Sequence, residues 1–305
     1  VSDGDPAISP EVDFIRISPD INEYLNNNNQ SFSVSLWIYP LLSNTECENS
    51  PIISNESPNN GFTLYTSRDC MGVSQTGSGS AGGWSSSSLQ GDQWNHIVYI
   101  CKNPNVKIFV NGSIELDTNN KIVFSSSKNP LLIGASKRHS EENRIEIGFN
   151  GYICDVAAWS RSITESEVSD LVQKKQKPIE ISDVIAYWPI DDGSGQIISD
   201  HSSNQFDGSF GNTTDIDEND PQWITRTGPF GQERSIAYFN SLTHSGEEED
   251  EVTDPDDGSD STSPDIYSGD LVTVGNSSEL NVTAPYTIEF WLYPYGIPHS
   301  KRGLL

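Results

Sequence analysis

Ser31-Phe32-Ser33-Val34-Ser35-Leu36-Trp37-Ile38-Tyr39-Pro40 alternates strictly. As a strand it carries Phe32, Val34, Leu36 and Ile38 on one face and the serines, Trp37 and Tyr39 on the other. Pro40, without an N–H for the ladder, ends it. Shorter runs of the same kind follow at Gly61–Thr66, His96–Cys101, Lys107–Val110, Leu131–Gly134 and Gly151–Trp159, separated by Asn, Gly, Ser and Pro. Short strands at this spacing predict a β-sandwich. Asn111-Gly112 after Val110 predicts a hairpin, because that pair accepts the positive φ of a type I′ turn. The period then changes. Thr164-Glu165-Ser166-Glu167 reads as a capping box, Val168, Leu171 and Val172 form an apolar stripe, and Lys174, Lys175, Lys177 and Pro178 close the helix. Packing against a sheet edge is use enough for that stripe.

A second series opens with Val184–Ile190. Its later part repeats the first: Trp291-Leu292-Tyr293-Pro294 answers Trp37-Ile38-Tyr39-Pro40, and Leu271–Val274 answers Phe14–Ile17. The repeat predicts tandem domains: a tail at 1–11, a first domain at 12–178 without its opening strands, and a second at 183–305 without its C-terminal part. Within the second lies an acidic insertion at 244–265, whose like charges repel and bury nothing. Each half is missing what the other supplies. The chain is therefore expected to be a window of a longer protein, or to receive strands from a neighbouring copy.

Charge narrows the partners. Of 305 residues, 17 are Lys or Arg and 44 Asp or Glu, a net charge of -27, which excludes nucleic acid and anionic membrane surfaces as general partners. A hydrophobic fraction of 34 % with seven Trp supports real cores. No run is long and apolar enough for a membrane helix, so direct membrane insertion is not expected. The four cysteines, Cys47, Cys70, Cys101 and Cys154, form no CxxC pair and allow three connectivities. The expected pairing is Cys47 with Cys70, which brackets a loop and strand, and Cys101 with Cys154, which joins two central strands; four buried thiols are the alternative. Asn-x-Ser/Thr acceptors stand at Asn29, Asn55, Asn111, Asn212, Asn276 and Asn281, with Asn111 the awkward one in its tight turn. Together these predict a secreted, extracellular or cell-surface glycoprotein.

Several motifs occur in a fixed order: Phe32–Pro40, Trp94–Tyr99, Lys107–Gly112, Leu132-Ile133-Gly134, Phe149–Val156 with Trp159, and Ser162–Val168. In that order they resemble laminin-G-like domains of the concanavalin A-like superfamily, and Ala186–Gly195, Asp200–Gly208, Trp223 and Ile236–Asn240 resemble the opening of another such domain. The resemblance implies an all-β jelly-roll sandwich of two antiparallel sheets, with a short C-terminal helix in each domain. It also implies function in loops rather than in the fold.

Some relatives bind calcium and use it to hold sugars or proteins. Asp200, Asn204 and Asp207 have the oxygen chemistry calcium needs, and equally the chemistry of Asx turns. Trp84, among Gly and Ser, is a candidate sugar-stacking ring or a core residue. Asp155 is a candidate ligand or a residue satisfied by neighbouring backbone. Catalysis has little support: Glu-x-Asp-x-x-Glu is absent, Glu142 and Glu146 share a strand face in loop-like surroundings, and no His-Glu-x-x-His, nucleophile elbow or phosphate loop occurs. The expected function is a non-catalytic adhesion, matrix or surface-assembly module whose partners are glycans, extracellular proteins or other copies of itself. The alternative is a calcium-assisted glycan-binding lectin; a glycoside hydrolase-like enzyme stands behind both.

Overall fold

A computed structural model describes residues 12–25, 31–41, 50–55, 61–66, 73–77, 89–119, 130–137, 145–211, 215–216 and 220–241. In chain order the strands are β1 (Ile15–Ile17), β2 (Ser31–Pro40), β3 (Pro51–Ser54), β4 (Phe62–Thr66), β5 (Val73–Gly77), β6 (Asn95–Lys102), β7 (Asn105–Val110), β8 (Ser113–Asn119) and β9 (Leu131–Ile133). They continue with β10 (Ala135–Lys137), β11 (Ile145–Gly148), β12 (Asn150–Trp159), β13 (Val184–Trp188), β14 (Ile197–Ile198), β15 (Gly208–Phe210), β16 (Gln222–Thr227) and β17 (Glu233–Asn240). Helices α1 (Asn22–Leu25) and α2 (Glu165–Gln173) are short, and no described helix is long and apolar enough to cross a membrane.

Two antiparallel sheets face each other. One runs β14-β15-β1-β9-β3-β4-β5 and the other β16-β17-β12-β2-β6-β7-β8, with β13 also on β12. Between them Phe32, Val34, Leu36 and Ile38, all 0 % exposed, meet Ile15, Phe62, Ile133 and Phe239. The alternation of the Phe32 strand is therefore realised as read, with Trp37 and Tyr39 on the outer face of the larger sheet. Asn111 and Gly112 take φ of 51° and 84°, and β7 pairs with β8 across them. Thr164 Oγ1 accepts from the Glu167 N–H and Glu167 Oε2 accepts from the Thr164 N–H, so the capping box forms. Val168 and Leu171 pack α2 onto Val98, Phe109, Ala157 and Trp159, on the sheet's outer face rather than its edge.

The expected boundary at 178/183 is corrected. β13 and β17 pair with β12, and β15 pairs with β1, so residues 184–240 supply strands to both sheets of the same sandwich. Trp188, Phe210 and Phe239 are buried in the common core. Gly134, at φ +86°, shows how closely the parts fit: a Cβ there would stand 2.6 Å from the Phe239 ring. The strands missing from 12–178 are thus present within this chain. The repeat at 271–294 and the acidic insertion lie outside the described residues.

The pairing Cys101–Cys154 is also corrected. Cys101 lies opposite Phe32, within the inter-sheet core, whereas Cys154 lies opposite Trp37 with its side chain on the outer face. Both are buried free thiols; burial pushes Cys101 up to about 12 and also raises Cys154 well above the ordinary thiol range. Cys47 and Cys70 lie outside the described residues.

Candidate functional site

The outer face of the larger sheet has three zones. Helix α2 covers one end. At the other, Trp94, just before β6, stands beside Tyr39 of β2, Tyr152 of β12 and Tyr238 of β17, with successive ring centroids 5.6, 5.6 and 5.2 Å apart. Between them opens a cavity of about 300 Å³, bounded by the C-terminal end of α2 and the turn joining β16 to β17.

Trp37 floors the cavity. His96 lies 4.8 Å from its ring on β6, and Phe230, from the β16–β17 turn, meets it edge-on at 5.2 Å. Lys175 caps the other side of Phe230 at 5.4 Å. The polar wall centres on Arg234, whose guanidinium donates to Asp155 Oδ2 at 2.7 Å, Pro189 O at 2.8 Å and Asp191 Oδ2 at 3.2 Å. The other Asp155 oxygen accepts the Tyr187 hydroxyl at 2.8 Å. Burial and the Asp155 charge push the Tyr187 phenol above its ordinary range, so it remains a proton donor to that carboxylate.

A bulge places Asp155 here. The register of β12 on β2 shifts between Cys154 and Ala157, and Asp155 takes φ +50°. Strict alternation would turn it toward the inter-sheet core behind Cys154. The extra residue instead leaves both on the outer face, as bulges near functional sites commonly do. Asp155 is thus satisfied by Tyr187 and Arg234 side chains, not chiefly by neighbouring backbone.

His96 is 2 % exposed, its Nδ1 has no partner among the described residues, and burial lowers its pKa to about 3. In the fold the ring is neutral, a hydrogen-bonding group and not a proton shuttle. Because the unfolded imidazole titrates near 6.5, the unfolded chain binds the extra proton between pH 6.5 and 3, and stability falls as pH drops through that window. Between pH 7 and 5 this amounts to about 2 kcal/mol. Urea midpoints should show the loss, and His96→Asn should remove that part of the slope; an unchanged slope would refute the assignment.

The loop expected to hold calcium is a hydrogen-bonded turn. Asp200 Oδ1 accepts the N–H groups of Tyr187 and Ser202, both at 2.8 Å; Oδ2 accepts Ser202 Oγ at 2.7 Å and the Phe206 N–H at 2.9 Å. Asp207 accepts the Asp200 N–H, and the Asn204 amide donates to Ile185 O. These are Asx-turn roles.

Asn55 is corrected as a glycan acceptor: it is 3 % exposed and its amide nitrogen donates to Asn22. Asn111 is exposed, with its amide donating to Asn95. Trp84, Asn29, Asn212, Asn276, Asn281 and Glu142 lie outside the described residues, as does the Glu146 side chain. Sequence reasoning missed the cavity residues His96, Phe230 and Arg234 as a group. Its usable signal was Trp37 and Tyr39 among serines on the polar face of β2.

Residues 15–169 match the laminin G family model of the concanavalin A-like lectin/glucanases superfamily. The chain belongs to this superfamily. A comparison with curated proteins finds no match. Among solved structures, a candidate carbohydrate binding protein from Bacteroides ovatus is 15 % identical with TM-score 0.46, covering 66 % of this chain and 56 % of its own. A heptameric SAP-like pentraxin from Limulus polyphemus is 17 % identical with TM-score 0.41, covering 55 % and 79 %. The Ruminococcus gnavus IT-sialidase CBM40, bound to α2,3 sialyllactose, is 13 % identical with TM-score 0.38, covering 47 % and 82 %. These low likenesses do not bear on the ligand. In this laminin-G-like chain, the described segment 184–240 lies beyond the matched residues and contributes Tyr187, Asp191, Phe230 and Arg234 to the cavity.

Proposed function

We propose that this chain is a non-catalytic glycan-binding module of an extracellular or cell-surface protein, used for attachment to glycans or glycosylated partners. The observation that carries the reading is the cavity in which Trp37 and Phe230 meet the polar wall of Arg234, Asp191 and Tyr187. Apolar rings suit the C–H faces of a sugar, while a few convergent polar groups in a pocket of this size fix its hydroxyls. Glycosidic cleavage needs one carboxyl to give a proton. Here Asp155 has one oxygen on the Tyr187 hydroxyl and the other on Arg234, which also holds Asp191. The pair is built to hold position.

Titration of immobilised chain with a panel of neutral and acidic oligosaccharides tests this. At least one should bind saturably, and Phe230→Ala should weaken it tenfold or more, about 1.4 kcal/mol. A panel without binding, or Phe230→Ala binding like the parent chain, would overturn the reading. Chelator is expected to leave binding unchanged, because the Asp200 oxygens already carry protein donors. For the same reason millimolar calcium should not move the melting temperature, whereas Asp200→Ala should lower it equally with or without calcium; calcium-dependent melting would restore a metal role to this loop.

A further inference from the structure

We infer that Arg226 and the aromatic row beside the cavity form a second subsite, one that takes an acidic sugar residue through its carboxylate or sulfate group. The inference rests on the glycan-binding reading. Arg226 lies opposite Arg234 in the β16–β17 hairpin, so both side chains leave the same face. Their fates differ: Arg234 is committed to two carboxylates, whereas Arg226 lies over two rings, 3.9 Å from the Tyr39 centroid and 4.1 Å from that of Tyr152. Among the described residues, its guanidinium makes these ring contacts and no ion pair.

A guanidinium lying on aromatic rings has its plane fixed while its N–H edges stay available. That is the arrangement that suits two-point binding of an oxyanion. The rings also hold Arg226 in place before a ligand arrives, which reduces the ordering cost of binding. Trp94 and Tyr238 continue the row on either side and are partly exposed, giving surface for neighbouring sugar rings.

Local charge points the same way. In a chain of net charge -27, four of the 17 basic residues gather here: Lys175, Lys177 and Arg234 around the cavity, and Arg226 beside it. Asp155 and Asp191 are the acidic side chains lining the cavity, so the patch carries a local excess of positive charge. At physiological salt, charges beyond about 8 Å are largely screened. An anionic group seated on the row therefore meets the Arg226 guanidinium at contact range, while the distant acidic residues of the chain are largely screened from it. A macromolecular polyanion meets more of the acidic surface and is the poorer fit.

Isothermal titration with three oligosaccharide classes separates the possibilities: polygalacturonate oligomers bearing carboxylates only, κ-carrageenan oligomers bearing sulfates only, and neutral galactan oligomers. At least one acidic class should bind tighter than the neutral one and weaken with added salt. Arg226→Ala should reduce acidic binding tenfold or more, with neutral binding and melting temperature nearly unchanged. Arg226→Lys, which keeps the charge without the planar fork, should recover only a small part. Equal binding of all three classes, or acidic binding insensitive to Arg226→Ala, would overturn the subsite. Neutral binding lost in Phe230→Ala but untouched by Arg226→Ala, with no acidic preference, would overturn the subsite and leave the cavity reading intact. Binding by none of the three would overturn the subsite.

Discussion

A chain ending at Lys177 is expected to lose the cooperative unfolding transition that a chain continuing through Ser241 shows. The segment removed is no appendage: β13 and β17 lie on β12 of one sheet, and β15 lies on β1 of the other. Its side chains Trp188, Ile190, Phe210 and Phe239 are at most 1 % exposed. Each such side chain contributes roughly 1.5–3 kcal/mol on burial, so these four together contribute about 6–12 kcal/mol, comparable to the 5–15 kcal/mol net stability of a typical domain. Deletion also bares Gly134 and the apolar faces of β1 and β12, leaving unpaired strand edges. Circular dichroism melts and dye binding on both chains measure the effect. A broad or absent transition in the shorter chain is expected, and wild-type melting would show that 184–240 does not belong to this core. Trp188→Ala should reproduce part of the loss, about 3–5 kcal/mol, in the full chain.

Arg234→Ala is expected to destabilise the protein by about 3–5 kcal/mol and to abolish binding in the cavity. The side chains of Arg234 and Asp155 are only 12 % and 10 % exposed, and their 2.7 Å bond sits beside the left-handed backbone of the bulge. Removing the guanidinium leaves the Asp155 carboxylate with the Tyr187 hydroxyl alone and releases Asp191 and Pro189 O. A buried charge without its partner costs more than the pair contributed, so the double variant Asp155→Asn, Arg234→Met should be more stable than Arg234→Ala. Urea unfolding of the single and double variants gives the comparison. A loss below about 1 kcal/mol in Arg234→Ala would mean that the pair behaves as an exposed surface bridge.

The candidate binding face was partly visible in the chain. Two aromatics on the serine-bearing face of β2 have no place in the inter-sheet core, so the alternation already marked Trp37 and Tyr39 as covering or contacting something else. Nothing local connects them with Phe230 or Arg234, which arrive from the far end of the described chain on a hairpin folded back over the sheet. Asp200, Asn204 and Asp207 read equally well as a metal loop or a turn. The choice between those readings depends on where the Tyr187, Phe206 and Ile185 backbone groups come to lie.

By itself the sequence determined the sandwich, the inward face of its long strands, the Asn111-Gly112 turn and the capped helix, because each depends on periodicity or on contacts within a few residues. Only the tertiary structure decided that residues 184–240 close the sheets begun by 12–159, that Cys101 and Cys154 stand on opposite faces, and that a bulge turns Asp155 outward. Strand order and register are set by side chains far apart in sequence, and shifting one residue reverses a strand's faces. Such choices minimise the free energy of the whole assembly, so no stretch of the chain carries them alone.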